Sequence, residues 1–277
     1  MPHHYDRQLT EIAELLKQSK RVLFITGAGI SADSGLPTYR GVGGLYQSCC
    51  ADGTQQNTED GYPIETCLSG PMFRKKPEIT WKYMLQLGMA IAEHQPNDAH
   101  RIIAKWEQQF AERGDRVVVL TQNIDGYHLA AGSKNVYEFH GSLGTLNCTK
   151  CAWSESFSLD DNMIERLQTL QQTLPPRCPQ CNAVIRPCVV LFEEMLPVNV
   201  IEAFQYEFNC GKGFDLVFSV GTSGMFPYIT GPIRMAAAKG VPTVEINPAE
   251  GDLSDVVTFH LPLTAAEALR EIDRRLE

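Results

Sequence analysis

Two kinds of hydrophobic run alternate along the chain. Residues 7–19 repeat apolar side chains at helical spacing, as expected of an amphipathic helix, and the short β-branched run Arg21–Thr26 reads as a buried strand. Helical spacing returns over Ile79–His94 and Asp98–Arg113 and leads into the strand VVVLT at 117–121, with a further strand over Val136–His140. Apolar runs at 189–192, 215–223 and 241–247 then alternate with helical stretches at 198–209, 228–239 and 264–276. Near-continuous apolar strands between helices predict an α/β fold with a parallel sheet covered on both faces. Residues 46–80 break the pattern: Gly, Pro, Gln, Asn and Thr predict a long loop with short helices, of the kind that serves as a lid or binding loop.

Ligands of such sheets bind at the carboxyl ends of the strands, and GAG, QNID, HGS, GTS and EIN all fall at predicted strand ends. Gly27, Gly29 and Ala32 fit the spacing G-x-G-x-x-G/A. In that pattern the first glycine makes a tight turn, the second lets backbone approach a pyrophosphate, and the small third residue packs helix on strand. The following helix N-terminus is expected to add unpaired N–H donors for an anion. A hydride-carrying dinucleotide fold also needs an acidic residue roughly 20 positions on. The stretch GLYQSCCADG, which contains Asp52, is not a strand, so a bound dinucleotide is held in another way.

Composition narrows the class. A net charge of −9 and a pI near 5.3 argue against a nucleic-acid footprint, which needs clustered basic surface. There is no apolar run near 18 residues, and the start MPHHYDRQ lacks the basic and apolar regions of a signal peptide, so a cytoplasmic protein without membrane contact is expected. Of nine cysteines, Cys148 and Cys151 form one C-x-x-C knuckle and Cys178 and Cys181 a second, with 26 residues between the two. Four thiolates in two such turns close a tetrahedral zinc site with no position left for water or substrate. Cys49, Cys50, Cys67, Cys188 and Cys210 read as buried or incidental thiols.

Together GAGISADSGLPTYRG, TQNIDGYHLAAGS, FHGSL, the paired C-x-x-C motifs, GTS and EIN resemble the sirtuins, the NAD-dependent protein-lysine deacylases, collinearly from about residue 20 to about 270. The resemblance implies a single catalytic domain over 1–277. Its Rossmann-type part would be 1–45, 97–143 and 188–277, and its smaller lobe a helical insertion at 46–96 with a zinc module at 144–187. It also implies that NAD is a consumed co-substrate. The acyl oxygen of a modified lysine attacks C1 of the nicotinamide ribose, nicotinamide leaves, and the acyl group ends on ADP-ribose. Such a site works by positioning and electrostatics, because it must stabilise oxocarbenium-like charge and exclude bulk water.

Site residues follow from the same resemblance. His140 would be the general base for a ribose hydroxyl, and Asn123 would orient the nicotinamide ribose and a water. Asp125 and the Ile124 backbone would hold the carboxamide. Tyr39 would shield the reacting ribose face, with Arg40 and Gln122 lining the same pocket. Gly27, Ala28, Gly29, Ser31 and Asp33 of the first turn, the phosphate-binding turn Gly221-Thr222-Ser223, the adenosine-ribose ligand Asn247 and Ala265 complete the NAD set. Val190, Phe192 and Glu193 lie on the strand that would pair with an acyl-lysine peptide or protein.

Three positions depart from the family pattern. Glu193 stands where the family has glycine and is expected to narrow the peptide cleft or favour basic peptides; Pro227 is displaced by one and precedes Tyr228; Cys188 replaces a common acidic or histidine residue. Relatives that prefer succinyl or malonyl lysine carry Tyr-x-x-Arg on the helix lining the acyl pocket. Here Tyr83 is followed by Gln86 among Met84 and Leu85, which predicts acetyl or longer neutral acyl groups unless Lys82 turns inward. Two other readings are ADP-ribose transfer to protein or water on the same fold, and a module that binds NAD without turnover. His140 favours deacylation, because hydrolysis of NAD alone does not need that base.

Overall fold

A computed structural model describes residues 5–37, 57–157, 162–209 and 213–277. Tyr39, Arg40, Asp52, Cys49, Cys50 and Cys210 lie outside the described residues.

The first strand, β1 (Arg21–Thr26), is buried on both faces, with Val22 and Phe24 in one core and Leu23 and Ile25 in another. Its neighbour β2 (Arg116–Thr121) repeats the division, with Val117 and Val119 on one side and Val118 and Leu120 on the other. β3 (Val136–Glu138) follows, and between it and the C-terminal half come β4 (Gly141–Cys148), β5 (Ser154–Ser156) and β6 (Ile185–Val189). The chain then forms β7 (Leu216–Val220), β8 (Thr243–Ile246) and β9 (Phe259–Leu261). Six strands make one parallel sheet in the order β3-β2-β1-β7-β8-β9. The order reverses direction between β1 and β7, which places the ligand crevice at their carboxyl ends.

Helices cover both faces of this sheet, as the apolar strands require. Asp6–Gln18, Asp98–Glu112 and Ala265–Arg274 pack on one face through Leu9, Ile12, Ile103, Trp106, Leu269 and Ile272. Val198–Asn209 and Pro227–Ala238 pack on the other through Phe204, Ile229 and Ile233. Phe24 and Phe218 stack at 4.5 Å between ring centroids and join β1 to β7 at the crossover.

One expected strand belongs elsewhere. The apolar run at 189–192 does not continue the parallel sheet: the strand there is β6, it stops at Val189, and it pairs antiparallel with β4 in a three-stranded sheet, β5-β4-β6. The parallel sheet gains instead the three-residue edge strand β9. The expected part boundaries at 143/144 and 187/188 therefore cut through β4 and β6.

The small sheet shares a third core with the helical segment Pro77–Ala92 and with Met163–Gln171. Trp81 is buried there and donates its indole N–H to the Ile185 carbonyl at 2.8 Å. A Cβ on Gly88 would meet Leu167 at 3.3 Å, so the helix approaches its neighbour closely at that glycine. The described part of the predicted loop forms short helices at Ile64–Cys67 and Gly70–Lys75, the second capped by Ser69 through the Met72 N–H. Cys67 is buried, as expected, whereas Cys188 is exposed. Among the described residues, no helix is long and apolar enough to cross a membrane.

Candidate active site

Two turns meet at the crossover. Gly29 donates its N–H to the Gly221 carbonyl at 2.8 Å, and Gly27 to that of Val220 at 3.0 Å. Both glycines of the pattern also serve chain packing at the crossover. A Cβ on Gly29 would lie 2.6 Å from the Gly221 Cα, and one on Gly27 would lie 2.7 Å from the Gln122 amide nitrogen, so both glycines let chain segments touch each other. Ala32 is exposed and does not pack helix on strand. The helix itself is one turn, Gly29–Ala32, and its Gly29, Ile30 and Ser31 N–H groups are all engaged, by Gly221, Gly27 and Ala28. The expected free donors are therefore taken.

What faces the crevice is a connected set of side chains. Ser31 donates its hydroxyl to Asp125 at 2.8 Å; Asn123 donates its amide to the Gly27 carbonyl at 3.1 Å and to the Ser31 oxygen at 3.2 Å. Asp125 also caps the turn by accepting the Tyr127 N–H at 3.0 Å. Ser31, Asn123 and Asp125 are all buried. Burial pushes the Asp125 carboxyl above its usual range, against the pull of the Tyr127 N–H and the Ser31 hydroxyl. Glu138, two residues before His140, is pushed up to about 7 by burial and by the Asp125 charge. Sequence reasoning did not single out Glu138, since only the fold brings β3 beside the QNID turn.

A second set lies beyond the glycine turns. Gln122 donates to the Thr222 hydroxyl at 2.7 Å, and Asn247 donates to the Thr222 carbonyl at 3.2 Å. Strand ends β2, β7 and β8 are thus joined through Thr222, which is buried, while Ser223 is exposed. Asp33 accepts the Ala266 N–H at 2.9 Å and pins the start of the last helix, next to buried Ala265. The fold brings Gly27, Ala28, Gly29, Ser31, Asp33, Gln122, Asn123, Ile124, Asp125, Gly221, Thr222, Ser223, Asn247 and Ala265 to the strand ends or the turns bonded to them.

His140 follows β3, and its Nε2 lies 2.8 Å from the Tyr228 hydroxyl. Burial lowers its pKa, and the Gln122 carbonyl opposes the shift, so the ring is neutral near pH 7. The His140 carbonyl accepts the Val190 N–H at 2.9 Å, which ties the candidate peptide segment to this histidine. Phe192 already exchanges backbone hydrogen bonds with Leu68 and Gly70. Glu193 is exposed and has φ of +64°, the left-handed conformation that glycine adopts without penalty.

The four knuckle cysteines converge away from these strand ends. Their sulfurs all lie within 4.8 Å of one another, with Cys148 to Cys181 at 3.4 Å and Cys151 to Cys178 at 3.6 Å. Thiolates at 2.3 Å from a tetrahedral zinc stand about 3.8 Å apart, so the donor set and spacing fit that ion. The Cys151 and Lys150 N–H groups both point at the Cys148 sulfur, at 3.3 Å.

Comparison with known proteins agrees with this layout. The Sir2 family model matches residues 27–226. NAD-dependent protein deacylase 2 of Pseudomonas syringae pv. tomato is 45% identical over 266 residues, which cover 95% of this chain and 98% of the relative. Its namesake in Pseudomonas aeruginosa is 43% identical, with 95% of each chain covered. Among solved structures, a mutant Sir2 homologue in complex with 2'-O-acetyl ADP ribose superposes with a TM-score of 0.78 at 31% identity, covering 96% of this chain and 95% of the other. A Sir2 homologue in complex with NAD gives 0.76 at 30% identity over 96% and 94%. The strand order, the polar residues gathered at the crossover, the four-cysteine cluster and these likenesses have one common account: the chain belongs to the Sir2 family.

Proposed function

We propose that the protein removes acyl groups from lysine side chains with consumption of NAD, releasing nicotinamide and passing the acyl group to ADP-ribose. The carrying observation is a half-buried, neutral His140 that meets the Gln122 carbonyl, next in the chain to Asn123 of the Asn123–Ser31–Asp125 network, in a chain 45% identical to a named NAD-dependent deacylase. Asn123 and Asp125 hold the nicotinamide half, the Gly221–Ser223 turn takes the phosphates and Asn247 the adenosine ribose. Val190, Phe192 and Glu193 border the substrate peptide; Tyr39 shields the reacting ribose face, and Arg40 and Gln122 line that nicotinamide-ribose pocket. His140 accepts a ribose hydroxyl proton. The larger part of the domain carries the NAD site; the helical insertion and the zinc module form the smaller lobe. One zinc held by Cys148, Cys151, Cys178 and Cys181 braces that lobe and takes no part in the chemistry. The reading includes a cytoplasmic location and, with a net charge of −9, no nucleic-acid partner.

The test is nicotinamide release from NAD with and without acetyl-lysine peptides, followed by product analysis. Peptide-dependent release with acetyl-ADP-ribose supports the reading. ADP-ribosylated protein, or free ADP-ribose formed without peptide, would replace it with transfer to protein or water.

A further inference from the structure

The one lone pair through which His140 can act is already met by another residue. Nε2 of His140 lies 2.8 Å from the hydroxyl of Tyr228, the second residue of the helix Pro227–Ala238. The Gln122 carbonyl also favours a proton on the ring, and a carbonyl can only accept. A neutral imidazole whose proton is turned toward Gln122 from Nδ1 leaves Nε2 as acceptor, and the phenol then donates to it.

That phenol is held in place. Its ring stacks on Phe226 at 5.2 Å and 15°, lies 6.3 Å from buried Phe139, and is followed in the helix by fully buried Ile229. Phe226 also meets the His140 ring edge-on at 6.1 Å. A substrate hydroxyl approaching Nε2 therefore meets the Tyr228 oxygen first, on a side chain that the surrounding rings keep from swinging away.

We propose that Tyr228 is a catalytic proton relay between the substrate ribose hydroxyl and His140. The inference rests on His140 being the base. In the transfer the substrate O–H bond breaks as a new O–H bond forms on the phenol oxygen. The original phenol O–H bond breaks as N–H forms at Nε2. The phenol ends unchanged, the imidazole carries the proton, and the substrate oxygen carries the electron pair for its attack. The neutral phenol suits this part, since burial holds its own pKa up at about 12 and it does not ionise in the resting enzyme.

Tyr228→Phe removes the hydroxyl and keeps the ring that stacks on Phe226. The expected result is a fall in kcat of roughly 10²-fold, in the range for loss of a proton-transfer group, with little change in KM for NAD or in melting temperature. A solvent isotope measurement in mixed H₂O and D₂O adds a readout that packing does not move. The wild type should show two protons in flight, as a curved dependence, and Tyr228→Phe one, as a linear dependence. His140→Ala, run in parallel, separates the two levels of the argument. If His140→Ala is inactive while Tyr228→Phe keeps kcat within about threefold and the same isotope dependence, the relay is wrong and the base stands. If folded His140→Ala turns over normally, the base assignment falls and the relay with it.

Discussion

Gly29 and Gly221 stand back to back: a Cβ on either would lie 2.6 Å from the Cα of the other. The turns after β1 and β7 are thus one packed unit, and the crevice floor depends on two missing side chains. Gly221 also has φ of +60°, so a side chain there is strained even before it clashes. Ala at either position is expected to cost roughly 1–3 kcal/mol by overpacking. Urea unfolding of both single variants and the double variant tests this. Strict additivity would show that the two sites do not share one contact.

The helix expected to line the acyl pocket carries a charged cluster at Lys82 and Tyr83. Lys82 does not face inward unpaired: its ammonium binds Glu59 at 2.7 Å and Asp60 at 2.8 Å, and the Tyr83 hydroxyl donates to the same Asp60 oxygen at 2.6 Å. A succinyl carboxylate reaching this helix would meet an engaged cation and an anion. We expect the acetyl form of one peptide to exceed the succinyl form by about a hundredfold in kcat/KM, a difference of roughly 3 kcal/mol. Equal turnover of the two forms at saturating NAD would contradict it.

Zinc content gives an independent check on the small lobe. Metal analysis should find one tightly bound zinc per chain, and Cys178→Ala combined with Cys181→Ala should lose it. A chelator should unfold the lobe around β4 to β6 before the parallel sheet, because a structural site supplies folding energy where its ligands lie. Hydrogen exchange followed segment by segment would show the order. Simultaneous loss of protection across both sheets would argue against it.

Glu193 carries a backbone cost that a glycine would avoid. An exposed residue held at φ of +64° gains from replacement by glycine. Glu193→Gly should stabilise the protein by about 1 kcal/mol, and if the side chain narrows the peptide cleft it should also lower KM for an acyl-lysine peptide. No change in stability would mean that the unfolded glycine's added freedom offsets the relief.

Three histidines set an acid limit on stability. His128 is held down at about 4 by burial, His100 lower still by burial and by the His128 charge, and His140 is lowered by burial. Each is neutral in the fold and takes up a proton near pH 6.5 once unfolded, so the unfolded chain binds more protons below that pH. Their contribution is complete above pH 6.5 and is lost as pH falls toward the folded values, at up to about 1.4 kcal/mol per unit for each group. Denaturant curves at pH 7, 6 and 5 should show falling stability. A flat dependence would mean that these rings are solvated.

The parallel sheet could be read from the chain because β1, β2 and β7 are buried on both faces and carry near-continuous apolar runs, broken in β7 only by Ser219. β9 could not: it has three residues, lies at the edge, and includes His260. β6 was misplaced because its own sequence, IRPCV, holds a proline and a half-buried arginine, while the more apolar residues after Val189 are not strand. The site divides in the same way. His140, Asn123 and the glycine turns stand in short motifs, whereas Tyr228 is 88 residues from His140 and joins it only through the packing of a helix start against a strand end. The sequence did mark that spot, through the displaced Pro227, but a displaced proline does not say where the next side chain points.

The indole bond from Trp81 to the Ile185 carbonyl has a bearing on how this lobe can be altered. It joins two segments 104 residues apart, one in the helical insertion and one in the strand that leaves the second cysteine knuckle. A chimera that borrows either segment alone from a relative inherits half of a shared core. Recombination within this family should therefore succeed when residues near 60–92 and 141–189 travel together, and fail when they are parted.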